Sequence, residues 1–313
     1  MAFHGRYLMA PVALARRLAR DLTRPDPVLW LATAEHAAAV YLDRAGYEAA
    51  VVGAGYSGCA LLSRGAAQCG IADHEDAIVV SIRGTSERLD WRSNLRAIWR
   101  RPWTPYLPPD CRVGWGWRQQ AEALIEPLVL QLAARRRLHP KAPLVVTGHS
   151  LGAAGMWLLV PALTRRGYPP RVAVGHGSPR VGNQAWADWY NGTFDARLAH
   201  EMRTGFTPAD EVESLIPSWS IALARRGSLD AVTRVPPRRW PWSCHHVGRR
   251  VVIADGEMLG FDAWRRLQGR NPVGHLAAWR KLSRLAAGVG SHPMAGAVEA
   301  LKQLTASPDA GAS

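Results

Sequence analysis

The chain has 313 residues, of which 48% are hydrophobic and 20% charged. These are the proportions of a folded protein long enough for one large α/β domain or at most two small ones. Its formal net charge of +14 comes almost wholly from arginine, with lysine only at Lys141, Lys281 and Lys302. The arginines are scattered instead of forming one block, which argues against nucleic-acid binding and leaves attraction to an anionic lipid surface open. The four cysteines lie far apart without a C-x-x-C pair, which argues against a zinc site and implies no disulfide framework. No apolar run reaches the length of a membrane span.

In chain order, Arg6, a short apolar stretch and Arg16-Arg17 make a poor signal peptide. An amphipathic helix over 12–22 is the preferred reading, so that 1–27 forms a basic helical segment. Pro25-Asp26-Pro27 closes that helix and opens a second over 28–44. Residues 66–72 and 77–82 read as strands joined by the polar turn Asp73-His74-Glu75-Asp76. A short helix follows at 90–98, then an irregular proline-rich loop at 102–109 and a periodic helix at 118–137. A strand at 144–147, a helix at 151–164, a strand at 171–174 and a helix at 183–190 come next. Residues 217–241 show no pattern and read as a loop or insertion. The strand 247–253 and helices at 261–267, 273–285 and 293–304 complete the core, and the small polar stretch 306–313 reads as a disordered tail. Alternating strands and helices predict an α/β layered fold with a central sheet.

The most informative stretch is Gly148-His149-Ser150-Leu151-Gly152, which follows the apolar run Leu144-Val145-Val146 and precedes small residues at helical spacing. This is the G-x-S-x-G pattern of a nucleophile elbow. A serine on a sharp strand-to-helix turn projects its hydroxyl toward a base and a carbonyl, and glycines on either side remove collisions in the tight turn. Ser150 then sits at a helix N-terminus, where the N–H of Leu151 is placed to stabilise developing negative charge. Such a serine needs a base, an orienting acid and a second oxyanion donor.

A strand ending in Arg83-Gly84-Thr85 lies upstream and is followed by Asp90-Trp91. With Gly148–Gly152 and with Gly177-Ser178-Pro179-Arg180-Val181-Gly182-Asn183, it resembles the class 3, fungal-type lipases of the α/β-hydrolase superfamily, over roughly 28–304. The resemblance implies an α/β-hydrolase domain over 28–305, with a central, mostly parallel sheet flanked by helices. It implies a Ser-Asp-His triad, no metal or organic cofactor, and a lipid or other ester as substrate. It makes Thr85 an oxyanion donor beside Leu151. It selects Asp210, in Asp210-Glu211-Val212-Glu213-Ser214-Leu215-Ile216-Pro217, as the acid, with Glu211 and Glu213 as competitors. It places the histidine just before a final helix, which favours His292 in Gly290-Ser291-His292-Pro293, although the usual aromatic downstream is replaced by small residues such as Ala297. His275 and the pair His245-His246 are the alternatives; a histidine followed by glycine before a strand is structural in the family.

Two further expectations concern the segment 86–110 and the residues 113–117 that follow it. Trp91, Trp99 and Trp103 among its arginines suit either a lid meeting a lipid–water interface or a packed surface helix. Gly114 in Val113-Gly114-Trp115-Gly116-Trp117 stands where the family often has histidine, and is read as a structural position. The rival to hydrolysis is Gly53-Ala54-Gly55-Tyr56-Ser57-Gly58, a G-x-G-x-x-G after the apolar 49–52, as in flavin- or nicotinamide-binding oxidoreductases. A second rival is an inactive hydrolase fold serving as a lipid-binding or interaction module. A cytoplasmic or membrane-peripheral location is favoured, with secretion open.

Overall fold

The fold was read from a computed structural model that describes residues 8–84, 100–103, 106–194, 216–225, 228–229, 244–254, 257–260 and 294–306. The first half carries α1 (Pro11–Leu18), α2 (Pro27–Ala39), α3 (Arg44–Gly53), β1 (Gly58–Arg64), β2 (Ala67–His74), β3 (Ala77–Ile82), β4 (Arg100–Pro102), β5 (Arg112–Gly114) and α4 (Trp115–Leu138). Then come β6 (Leu144–His149), α5 (Leu151–Arg165), β7 (Val172–His176), α6 (Gln184–Phe194), β8 (Ser218–Arg225), β9 (Ser228–Leu229), β10 (Arg249–Ala254), β11 (Glu257–Gly260) and α7 (Met294–Ala306).

Among the described residues the main sheet runs β1-β2-β3-β6-β7-β8-β10-β11, with β9 paired to β8. Strands β3, β6, β7, β8 and β10 are mutually parallel, while β1, β2 and β11 add antiparallel edges. Parallel strands need crossovers, and α4, α5 and α6 lie on the connections that follow β3, β6 and β7. Both faces of the sheet are therefore covered, and its strands read as continuous apolar runs. Ile78, Val80, Ile82, Leu144 and Val146 pack with α4, α5 and α6. Val79, Val145, Val172 and Val174 pack with α1, α2, α3 and α7. No helix among the described residues is long and apolar enough to cross a membrane.

The expected helix over 28–44 is two helices. Asp26 caps α2 by accepting from the N–H groups of Val28 and Leu29 at 3.0 Å, with Pro27 at the first position. Asp43 then accepts from Gly46 N–H at 2.7 Å and starts α3. A side chain that bonds the backbone three residues on offers a competing start, so the chain turns between Ala39 and Arg44. Tyr41 sits in that turn. The first helix, expected over 12–22, ends at Leu18; Leu22 beyond it is still buried.

This geometry removes the dinucleotide-binding reading. Residues 49–52, taken there as a strand, belong to α3, and Cys59-Ala60-Leu61-Leu62 belong to β1. The glycine motif runs helix–turn–strand, the reverse of the strand–turn–helix that aims a helix N-terminus at a pyrophosphate.

The reading of 217–241 as a loop is also corrected, because its first part is β8, in the middle of the parallel set. Trp219 and Ile221 face one core, while buried Ser218 and Ser220 occupy the alternate positions. Ser218 Oγ donates to Ile216 O at 3.0 Å and shares a 3.1 Å hydrogen bond with the Tyr190 hydroxyl. These buried serines gave the strand a polar composition. Strand β11, which sequence reasoning also missed, pairs antiparallel with β10. The expected helices at 90–98, 261–267 and 273–285, and the tail 306–313 beyond Ala306, lie outside the described residues.

Candidate active site

The elbow stands where β6 gives way to α5. Ser150 has φ 55° and ψ −122°, and is the only non-glycine residue with positive φ among the described residues. Such a conformation costs about 1–3 kcal/mol and is held only by the packing around it. Two glycines permit that packing. A Cβ on Gly148 would lie 2.7 Å from the Gly152 backbone, and one on Gly152 would lie 2.2 Å from the carbonyl oxygen of Ile82. Helix α5 thus enters directly against the end of β3. The N–H of Ser150 donates to His176 O at 2.9 Å, which ties the nucleophile to the neighbouring strand β7. Leu151 is the first residue of α5, and its N–H has no carbonyl one turn back to meet.

The end of β3 lies beside the serine. A Cβ on Gly84 would be 3.4 Å from Ser150 Cβ, 2.7 Å from His149 O and 2.4 Å from the Tyr41 hydroxyl. Gly84 N–H donates to that hydroxyl at 3.0 Å, and the same oxygen lies 3.1 Å from His149 Nδ1. Burial pushes the Tyr41 hydroxyl up to about 12, against the opposing influence of the Gly84 N–H and the Arg83 cation. Arg83 is held in turn: its N–H donates to Gln68 O at 3.0 Å, its guanidinium bonds the Gln68 side chain, and Gln120 Nε2 donates to its carbonyl at 3.0 Å.

His176, behind the elbow, is not a base for Ser150. Burial pushes it down to about 3. Its Nε2 meets Thr33 Oγ1 at 3.0 Å, and that hydroxyl donates to Trp30 O, so His176 Nε2 carries the proton.

The Gly177–Asn183 motif is architectural. Trp157 Nε1 donates to Ser178 Oγ at 2.9 Å. Asn183 Oδ1 accepts from Arg112 N–H and from Trp186 N–H, both at 3.0 Å, and so joins β5 to the start of α6. Gly114 donates through its N–H to Val181 O at 3.0 Å, in keeping with a structural role at that position. The backbone of His245 also lies against this loop: its N–H donates to Gly182 O at 2.7 Å and its carbonyl accepts from Val181 N–H at 3.1 Å.

Of the expected site residues, Ser150 and Leu151 stand together at the elbow. Thr85, Asp210 and His292 lie outside the described residues, as do His275, Glu211 and Glu213. In the segment 86–110, Trp103 is a core residue; it is 1% exposed and donates to Glu122 Oε1 at 2.9 Å. For Trp103 the packing reading therefore holds, while Trp91 and Trp99 lie outside the described residues. Tyr41 was missed, because a lone tyrosine at a helix end carries no sequence signal.

Residues 79–205 match the family model described as Lipase (class 3). The match covers less than half of the chain, so the class 3 lipases are what this chain is similar to. Among curated relatives, Lipase A of Sodiomyces alcalophilus is 28% identical over 194 residues, covering 55% of this chain and 42% of that protein. Secreted mono- and diacylglycerol lipase A of Penicillium cyclopium is 30% identical over 118 residues, 37% of this chain and 38% of that one. The matches thus span less than half the length of either relative. Rhizomucor miehei triacylglyceride lipase has a similar structure, with a TM-score of 0.53 at 18% identity over 80% of this chain and 90% of that one. A fungal lipase solved as an inhibitor complex gives 0.54 at 18% identity, over 83% and 91%. The chain therefore has the α/β-hydrolase fold, with a mostly parallel central sheet flanked by helices.

Proposed function

We propose that this chain is a serine carboxylic ester hydrolase of the lipase type, acting on acylglycerols or related lipid esters. The observation that carries the reading is the conformation of Ser150: a strained residue at the N-terminus of α5, packed against the end of β3. Strain of that kind is kept where an exposed hydroxyl must be presented to substrate. In the reaction, His292 removes the proton of Ser150 as its oxygen attacks the ester carbonyl. Asp210 fixes the imidazole tautomer and stabilises the imidazolium. The N–H groups of Leu151 and Thr85 hold the oxyanion, and the alcohol leaves with the proton from His292. Water, activated by the same base, then releases the acid from the acyl-enzyme. The mono- and diacylglycerol lipases among the relatives support a glyceride substrate. The net charge of +14 supports transient contact with an anionic lipid surface.

Hydrolysis of p-nitrophenyl esters of graded chain length, with Ser150→Ala as control, tests this. Turnover by the wild type and none by Ser150→Ala is expected. Equal rates on every ester would leave an inactive lipid-binding module instead. Single alanine changes at His292 and His275 assign the base, and full activity in His292→Ala would transfer the role.

A further inference from the structure

The hydroxyl of Tyr41 touches both halves of the candidate oxyanion hole. One half is the end of β3, where Gly84 precedes Thr85; the other is the elbow, where His149 precedes Ser150. Gly84 N–H donates to the hydroxyl at 3.0 Å, and His149 Nδ1 lies 3.1 Å from it. The ring is held on two sides, by the Arg83 guanidinium 5.5 Å from its centroid and by the His149 ring edge-on at 6.1 Å. The fit is tight, since even a methyl group on Gly84 would meet the hydroxyl at 2.4 Å.

We propose that Tyr41 is a positioning residue for the nucleophile, its single hydroxyl fixing the distance between the end of β3 at Gly84 and the elbow that carries Ser150. The inference rests on the hydrolase reading above. The oxygen accepts from Gly84 N–H and shares a hydrogen bond with His149 Nδ1. The two backbone segments are then joined through one atom. Each is separately anchored to the sheet, β3 through Arg83 and Gln68 and the elbow through Ser150 and His176. Without the link, Gly84 N–H loses its partner and the end of β3 is free to drift relative to the serine. A displacement there weakens stabilisation of the tetrahedral intermediate while leaving ground-state ester binding untouched.

The test is Tyr41→Phe, which keeps the ring and removes the hydroxyl, measured alone and combined with His149→Leu. On a soluble p-nitrophenyl ester, kcat is expected to fall by about 10- to 100-fold with KM nearly unchanged. Because both side chains belong to one link, the double variant is expected to stay within about twofold of Tyr41→Phe alone, whereas independent effects would multiply. Unchanged kcat in Tyr41→Phe, a loss carried by KM, or fully multiplicative losses would each overturn the inference. Thermal unfolding of each variant confirms that it is folded at the assay temperature. Should Tyr41→Phe not fold, His149→Leu removes the other end of the link, and unchanged kcat there also overturns the inference. A wild type no faster than Ser150→Ala would bring down the hydrolase reading and this inference with it. An active wild type matched by Tyr41→Phe would bring down this inference alone.

Discussion

Gly152→Ala is the sharpest probe of how the elbow is built. The added Cβ would lie 2.2 Å from Ile82 O, 2.7 Å from Arg83 C and 2.8 Å from Arg83 O, all backbone atoms that no rotamer change can move. Relief requires the N-terminus of α5 to retreat from the end of β3 by about 1 Å, against a core packed at crystal-like density. Overpacking of this kind costs about 1–3 kcal/mol, which for a chain of this length lowers Tm by roughly 2 °C per kcal/mol. The same retreat carries Leu151 N–H and Ser150 away from Gly84, and a misplacement of about 1 Å costs on the order of 100-fold in rate. Gly53→Ala is the internal control. It lies at the last position of α3 with nothing within 4 Å of the new Cβ, and its φ is not in the left-handed region. There alanine is expected to stabilise by about 0.5 kcal/mol, through the lower entropy of the unfolded chain. Scanning calorimetry and ester hydrolysis on both variants check the pair. If Gly152→Ala retained wild-type Tm and activity, the close packing of elbow on strand would not be what holds Ser150 in place.

The positive φ of Ser150 makes Ser150→Gly inactive yet more stable, by about 1 kcal/mol in thermal unfolding, because glycine adopts that conformation without strain. Asp73 holds the buried Arg135 guanidinium at 2.7 Å, so Asp73→Asn leaves an uncompensated buried charge and should cost about 3 kcal/mol in denaturant unfolding. Asp73 pairs with Ile78 at the start of β3, the end of the sheet away from the elbow, so kcat of the folded Asp73→Asn variant should not change. Burial pushes His36 down to about 4 and His176 down to about 3. The unfolded chain therefore binds more protons below its ordinary histidine value of 6.5, and stability conferred by these neutral histidines is present above that pH and lost as pH falls toward 4. Glu35 has the opposite sign. Burial pushes it up to about 7, so the protonated native form is favoured in acid and that contribution is lost as pH rises through 7. Glu35→Gln should accordingly be more stable than wild type at pH 8, with the difference closing at pH 4, as read by Tm against pH.

The sequence by itself determined the elements whose signals are local. Residues 144–154 declared strand, turn and helix because a tight turn admits glycine at Gly148 and Gly152, and because small residues line the helix beyond. The paired strands around Asp73–Asp76 and the helices α4, α5, α6 and α7 were legible from periodicity, and the order of motifs carried the resemblance to the class 3 lipases. What the tertiary structure decided was everything resting on a distant partner. Strand β8 looked like a loop because it carries buried serines, and composition does not reveal that Ser218 is satisfied by Tyr190 and by the backbone. The glycine-rich 53–58 looked like a nucleotide loop because 49–52 is apolar on both a strand and a helix reading, and only packing against the sheet chose the helix. Trp103 looked as suited to a lipid interface as to a core until its ring nitrogen met Glu122. Tyr41 gave no sign at all. Its hydroxyl reaches Gly84 and His149 only because Asp43 breaks the helix beside it, and proximity across 43 and 108 positions of chain is a property of the fold, not of any local pattern.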